Sequence, residues 1–483
     1  MDPQSSIHTF PVTPRTVDVV VIGAGLSGLR AALGVQAAGL SCVVLEATDR
    51  VGGMTLSISS KQSGPGVNDV GAAWINDTTQ SEMYKLLQRY GLQGQMQACK
   101  GKDIFQSPNG YILSPHGELP IPEEEQLAVS EVFVKLRELI ANVDLEDPSL
   151  GPNAKELDNV TLYEYCIRTF QSEAIADLFD YTCQALVGVE GNAISMLSFL
   201  HACKSGTGID ALTSDGKDGA QYLRVRQGTQ AFSQNMAAEL KPGTLYLSTP
   251  VTQITQIQSQ SIDICTVQTA TSTTFHAKKI ILSIATPLYP TITFTPPLPP
   301  QKQRLAHENK LGYYCKIIFI FPHPFWRPAG LSGTIHADAG PFLFTMDTSI
   351  PDDNQWSLSC FAVGPRGREW SLHSEEERRR SAWTQLRSAF ENVQLPPGQE
   401  VSVPDPISVL EYDWSKQEFF WGGPVPASPP GLLSGVDGDA VRAAFGNVHF
   451  VGTETSLVWK GYMEGAVRSG DRGAREVGGA LGV

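Results

Sequence analysis

Residues 19–55 read VVVIGAGLSGLRAALGVQAAGLSCVVLEATDRVGGMT, and no other stretch restricts the fold as strongly. The β-branched run at 17–22 suits a strand buried on both faces. Gly23, Gly25 and Gly28 follow as GxGxxG, and residues 26–38 carry helical spacing that Gly39 closes as the C′ residue. In such a turn Gly23 makes the bend, Gly25 lets the backbone approach a pyrophosphate, and Gly28 lets helix and strand pack closely. The helix N-terminus, with Leu26 and Ser27, then faces the anion. A second strand, CVVLE, ends in Glu46, placed to accept ribose hydroxyls. The whole series predicts a dinucleotide cradle. Glu46 would repel the 2′-phosphate of NADP, which leaves NAD and FAD.

With 483 residues the chain exceeds one ordinary core, so two domains are expected. A net charge of −14 disfavours nucleic acid, whose phosphates need a basic face, and would draw small cations instead. The eight cysteines (Cys42, Cys99, Cys166, Cys183, Cys203, Cys265, Cys315, Cys360) contain no CxxC. They read as thiols of a reducing compartment. None of the nine histidines shows HxxxH or other metal spacing, so no metal site is expected. No secretory pattern opens the chain, no run of about 18 apolar residues occurs, and ALGV is no peroxisomal address. The sequons at 76–78 and 159–161 read as chance. A cytoplasmic protein without membrane attachment is expected, and a homo-oligomer is compatible with it.

Directly after Glu46, ATDRVGGMT adds Ala47, Arg50, Gly52, Gly53 and Met54. A second glycine pair beyond the ribose acid resembles the extended signature of the large flavoproteins, which selects FAD. An α/β opening (17–90) and an α/β closing segment (408 onward) flank helix-rich and strand-rich material. That order predicts one domain assembled from separated pieces: 1–88, 226–300 and 408–483 for FAD, with 89–225 and 301–407 forming the substrate domain.

Further motifs stand at DVGAAWINDTTQSEMYKLLQRYGL (69–92), QYLRVRQGTQAFSQNMAAEL (221–240), LGYYCKIIFIFPHPFWR (311–327), DWSKQEFFWGGPVPASPPGLL (413–433) and FVGTETSLVWKGYMEGAVRSGDRGAREV (450–477). In this order they resemble the flavin-dependent monoamine oxidase family, especially its soluble fungal members. The resemblance implies a Rossmann-like FAD domain of glutathione-reductase type with an α+β substrate domain. It also implies oxidative deamination of a primary amine to aldehyde, ammonia and hydrogen peroxide, with O2 as co-substrate. Fungal relatives include oxidases of sphingoid-like mycotoxins such as fumonisins, so a bulky or long-chain aliphatic amine is implied.

Matched residue by residue, Lys316 takes the place of the lysine holding a water near the flavin. Read alone, it is a costly cation in an apolar strand. Tyr462 takes an aromatic-cage position, and Gln221 a polar substrate position. Val251 matches the adenine contact, while Trp74 and Trp414 match aromatics near the flavin, with Ala72 and Ala73 beside them. Gly452, Thr453 and Glu454 end a strand where open α/β sheets bind ligands. Met463 then starts a helix whose N-terminus would stabilise negative charge on the flavin pyrimidine.

The chain also departs from the family. Counting from Trp414, or from Pro429, Pro430 and Gly431, puts the flavin-linking cysteine at Gly423 and a cage tyrosine at Pro424. Aligning on the glycine pair gives Pro424 and Val425. Neither supplies a thiol, so noncovalent FAD is expected, and Phe420 or Trp421 is left to replace the missing cage wall. Thr48 and Met54 stand for two usual arginines and Ala72 for a usual glycine. Other readings are a desaturase or porphyrinogen oxidase of the same superfamily, and a non-catalytic FAD-binding protein.

Overall fold

Four strand ends converge on one edge of an eight-stranded sheet, and that convergence positions everything below. A computed structural model describes residues 15–60, 66–257 and 264–483. Most of the opening segment read for a secretory signal, residues 1–14, lies outside the described residues. The sheet runs Leu245–Tyr246, Cys42–Leu45, Arg15–Ile22, Thr274–Leu282, Ile264–Thr269, Val251–Ile257, Thr293–Thr295, with Val448–Phe450 also paired to Thr274–Leu282. Arg15–Ile22 is parallel to both neighbours, and Val448–Phe450 runs parallel to Thr274–Leu282. Ile22, Leu45, Leu282 and Phe450 therefore end together.

Alternation explains the apolar run. Val19 and Val21 join one core with Leu29, Ala32, Val467 and Val477, while Val20 and Ile22 join the opposite core with Ile254, Phe275 and Tyr289. A strand buried on both faces has no polar side. The helices Leu26–Ala37 and Met463–Leu481 pack against each other on one face, and small residues allow the approach: a Cβ on Gly34 would stand 2.6 Å from the Ala474 methyl.

A seven-stranded sheet runs Ser408–Asp413, Tyr314–Phe321, Trp356–Val363, Phe344–Asp347, Leu331–His336, Lys102–Ser107, Gly110–Pro115. Here the expected boundary at 408 is corrected. Ser408–Asp413 hydrogen-bonds along Tyr314–Phe321 and belongs to this sheet, because Leu410 joins Ile318, Ile320 and Val70 in a small core. In Tyr314–Phe321 the odd residues Cys315, Ile317, Phe319 and Phe321 face a core closed by the helix Glu375–Asn392. Period-2 alternation sends Tyr314 and Lys316 the other way. A helical layer (Glu123–Asn142, Leu162–Phe170, Glu173–Val187, Met196–Ser205) closes the remaining side and packs on Trp459 and Tyr462. Asn76 of the first sequon is fully buried, its amide donating to Thr79 and Gly219, so no glycan attaches there in the folded state. No helix among the described residues is long and apolar enough to cross a membrane.

Candidate active site

A cavity of about 810 Å³ runs from the converging strand ends to the helical layer. At its first end the turn of residues 23–28 is built from glycine for steric reasons. Gly23 has φ +99°, and a Cβ on Gly28 would overlap the Gly23 carbonyl oxygen. Gly25 differs, since a Cβ there would meet only the Gly53 Cα at 3.8 Å. Gly25, Leu26, Ser27, Ala47, Gly53 and Met54 line the cavity, whereas Gly28 does not. The structure thus gives Gly28 the close-packing role read from the sequence. Glu46 lines the cavity too, its carboxylate held by the N–H of Ala24 (2.6 Å) and by Thr48 N–H and Oγ (2.9 and 2.8 Å).

Two helices begin on this cavity without a side-chain cap. Leu26–Ala37 has Gly25 as N-cap, and Met463–Leu481 has Tyr462. Glu464, the acid of the second helix's first turn, is drawn away to accept from Glu82 and Met83 N–H and from Arg468. The first-turn N–H groups are thus left for a ligand, with the helix dipoles behind them. Ala72, Ala73, Trp74, Val251, Gly452, Thr453, Glu454 and Met463 complete the wall of this half. Trp414 joins them and is anchored by its indole N–H on the Val70 carbonyl.

Lys316 is 3% exposed, and its ammonium donates to the carbonyls of Gly71 (2.6 Å) and Asp69 (3.1 Å). The Trp74 and Phe361 rings stand 5.1 and 5.2 Å away. Burial lowers its pKa to about 8, opposed by the nearby Asp69 carboxylate and assisted by the buried Arg224. An ammonium has three donors, and two are committed. The third is free for a water or substrate at the cavity wall. Tyr462 lines the same space, set by a T-shaped contact with Trp459 at 4.9 Å, and burial raises its hydroxyl pKa. Gln221 also lines the cavity, at the end of the 213–220 loop.

The segment 418–426 borders the cavity throughout. Phe420 packs edge-on to Trp414 at 5.1 Å under the Arg50 guanidinium. Trp421 is 44% exposed at φ +59°, its indole N–H donating to the Glu418 carbonyl. Pro424 and Val425 form the inner wall. At Gly423 a Cβ would overlap the Met54 methyl, so Met54 fills the room a larger side chain would need. Of the cysteines, all of them among the described residues, only Cys203 lines the cavity.

Sequence reasoning missed the far wall: Leu186, Val187, Phe199, Ala202, Cys203 and Leu212, plus Tyr314 and Phe361. Signals existed. Tyr314 lies two residues before Lys316, and 199, 202 and 203 share one helical face. Nothing along the chain names Phe361, which is the register partner of Lys316. Lining carboxylates are few. Glu46 is held by Ala24 and Thr48, Glu454 by Thr286 N–H (2.6 Å) and hydroxyl (2.9 Å), and Glu418 is exposed.

These donors fit a dinucleotide: a turn a Cβ would fill, a lining acid just past the second strand, and two uncapped helix starts. Residues 26–478 match the family model described as flavin containing amine oxidoreductase. A flavin-containing monoamine oxidase of Mycobacterium tuberculosis is 33% identical over 97% of this chain and 98% of its own. Among solved structures, cyclohexylamine oxidase from Brevibacterium oxydans has a TM-score of 0.86 at 29% identity, covering 96% of this chain and 99% of that one. Putrescine oxidase bound to putrescine has a TM-score of 0.84 at 26% identity with the same coverage.

Proposed function

The chain belongs to the flavin containing amine oxidoreductases, and from that premise we propose that it deaminates primary amines with a long or bulky aliphatic tail. The co-substrate is O2, the products are aldehyde, ammonia and hydrogen peroxide, and the flavin is noncovalent FAD. Bound in the cradle, FAD supplies two-electron oxidation of the carbon bearing the amine and returns the electrons to O2.

The remaining work falls to the protein. Gly25 and the N-terminus of Leu26–Ala37 would hold the pyrophosphate, Glu46 the ribose, and the N–H groups at 463 an anionic ring edge. Tyr462 would orient the uncharged amine. Lys316, with one donor left over, would hold a water and keep the reacting end free of ammonium ions by repulsion. The imine leaving the site hydrolyses to aldehyde and ammonia.

One observation carries the substrate class: the helical wall offers hydrocarbon, and of the three lining carboxylates Glu46 and Glu454 are held by the protein while Glu418 is exposed to solvent. Putrescine carries a second ammonium, which this chamber would strand without a counter-charge. The test is a peroxide and aldehyde assay over matched monoamines and diamines. Alkyl monoamines should turn over at least tenfold faster than diamines of equal length. Preference for diamines, or no peroxide with any amine, overturns the reading.

A further inference from the structure

Outside the lining of the cavity, the fold assembles a cluster that no spacing along the chain reveals. Cys99, His116 and Asp215 bring one sulfur, one ring nitrogen and one carboxylate oxygen within 4.8 Å of one another. The His116 Nε2–H donates to Asp215 Oδ2 at 2.7 Å, and Nδ1–H to Asp103 Oδ1 at 2.7 Å. Asp103 is 1% exposed and rigidly held, accepting from the Ser332 hydroxyl (2.5 Å) and the Gly117 N–H (2.9 Å). Cys99 is the exposed thiol among eight cysteines, the other seven being buried. Its sulfur donates weakly to the Gln97 carbonyl at 3.3 Å.

We propose that Cys99, His116 and Asp215 form a zinc-class divalent metal site, with Asp103 orienting the imidazole. The anatomy is that of a metal centre. Thiolate, imidazole and carboxylate are the donors zinc takes, with a fourth position left for water. A carboxylate on the second imidazole nitrogen fixes the ligand ring, as outer-shell partners of metal-bound histidines do. Ligand atoms of a tetrahedral zinc site stand about 3.3–3.8 Å apart. The Cys99 sulfur therefore needs to move in by up to about 1 Å, within the range of a side-chain rotamer change, while the His116–Asp215 pair, now 2.7 Å apart, must open slightly.

The competitor is the proton. The His116 Nε2–H is spent on Asp215, so a metal must displace that proton as well as the thiol proton. Binding should tighten steeply as pH rises. Asp215 lies in the loop that delivers Gln221 to the cavity, and Gln97 accepts the Trp74 indole N–H at 3.0 Å. An occupied site would thus tie together two segments that adjoin the cavity wall.

The holoenzyme can be titrated with Co2+ and then Zn2+. One equivalent of Co2+ should give tetrahedral visible bands beyond 550 nm, clear of flavin absorption, and Zn2+ should erase them. Cys99→Ser and Asp215→Asn should each weaken binding at least tenfold, Asp103→Asn about tenfold or more, and exposed His373→Gln not at all. Zn2+ should also protect Cys99 of the unaltered protein from iodoacetamide, reversed by EDTA. No saturable equivalent overturns the proposal. So does an equivalent that survives both Cys99→Ser and Asp215→Asn, or Cys99 alkylation indifferent to Zn2+.

Discussion

On the nucleotide side of the cavity the groups facing a ligand are mostly backbone: the turn at 23–28, the glycine pair at 52–53, and two helix starts. On the substrate side they are side chains from five separate segments: Trp74, Leu212, Lys316, Val425 and Tyr462 among them. A backbone cradle demands particular residues at particular places, because only glycine fits a left-handed turn or a van der Waals overlap. A side-chain wall demands only that the wall close, and it varies freely in chemistry. Half of this cavity is accordingly constrained by folding and half by its ligand.

The sharpest way to break that contrast lies within one turn. Gly28→Val drives a side chain into the Gly23 carbonyl, so we expect a loss of about 3 kcal/mol or more and little soluble protein. Gly25→Ala adds a methyl into open cavity, so the fold should survive with unchanged thermal unfolding of the apoprotein. Its FAD affinity should fall at least tenfold, read by flavin titration. If Gly25→Ala unfolds the protein, or retains full flavin, folding and ligand glycines are not separable here.

The cofactor linkage comes next. With no thiol at 423–425 and Met54 filling the space beside Gly423, acid precipitation should leave all yellow colour in the supernatant. Colour on the pellet would show that another thiol, with Cys203 the lining candidate, had attached it.

Legibility follows the same division. The strand–turn–helix–strand at 15–46 was readable because its pattern is local: buried valines on both faces, then glycines, then an acid. The two-sheet scaffold was readable in type. The boundary at 408 was not, since Ser408–Asp413 joins the second sheet through Leu410 packing on Ile318, a contact of distant residues. Lys316 was legible through its motif, and alternation explains its direction. The partners that make it tolerable, the carbonyls of Asp69 and Gly71, follow from no pattern in the chain.

Lys316 tests whether a side-chain wall is as exacting as a backbone one. Lys316→Met should slow at least one flavin half-reaction by about tenfold in stopped-flow, the usual worth of a positioned charged group. It should also remove a limb near pH 8 from the rate profile, because the amine is charged below that value and neutral above it. The stability sign is opposite to that of a stabilising ion pair. The folded pKa lies below the unfolded 10.5, so the burial cost is full below about pH 8 and is relieved as pH rises toward 10.5. Wild-type apoprotein should therefore gain stability over the variant across that window. Identical profiles and rates would reduce Lys316 to a strand residue.

The smallest effects per change concern the tail of the substrate. With Tyr462 the cavity wall includes Pro424 and Val425, while Phe420 is engaged by Trp414 and Trp421 stands half in solvent. That stretch of wall, Pro424 and Val425, offers no aromatic face, which loses the slot that favours slim, flat amines. It leaves room for alkyl chains, which recover binding by burying methylenes worth about 0.8 kcal/mol each, roughly fourfold in kcat/KM at most. From butylamine to dodecylamine, kcat/KM should climb two- to fourfold per added carbon until the chain reaches the helical wall at Phe199, then level off. Benzylamine should be poor. Tyr462→Ala should lower kcat more than it raises KM at every length, since its part is orientation rather than affinity. A flat series with benzylamine preferred would mean that Phe420 or Trp421 turns inward on substrate binding and rebuilds the aromatic slot, making the substrate wall as prescribed as the cradle.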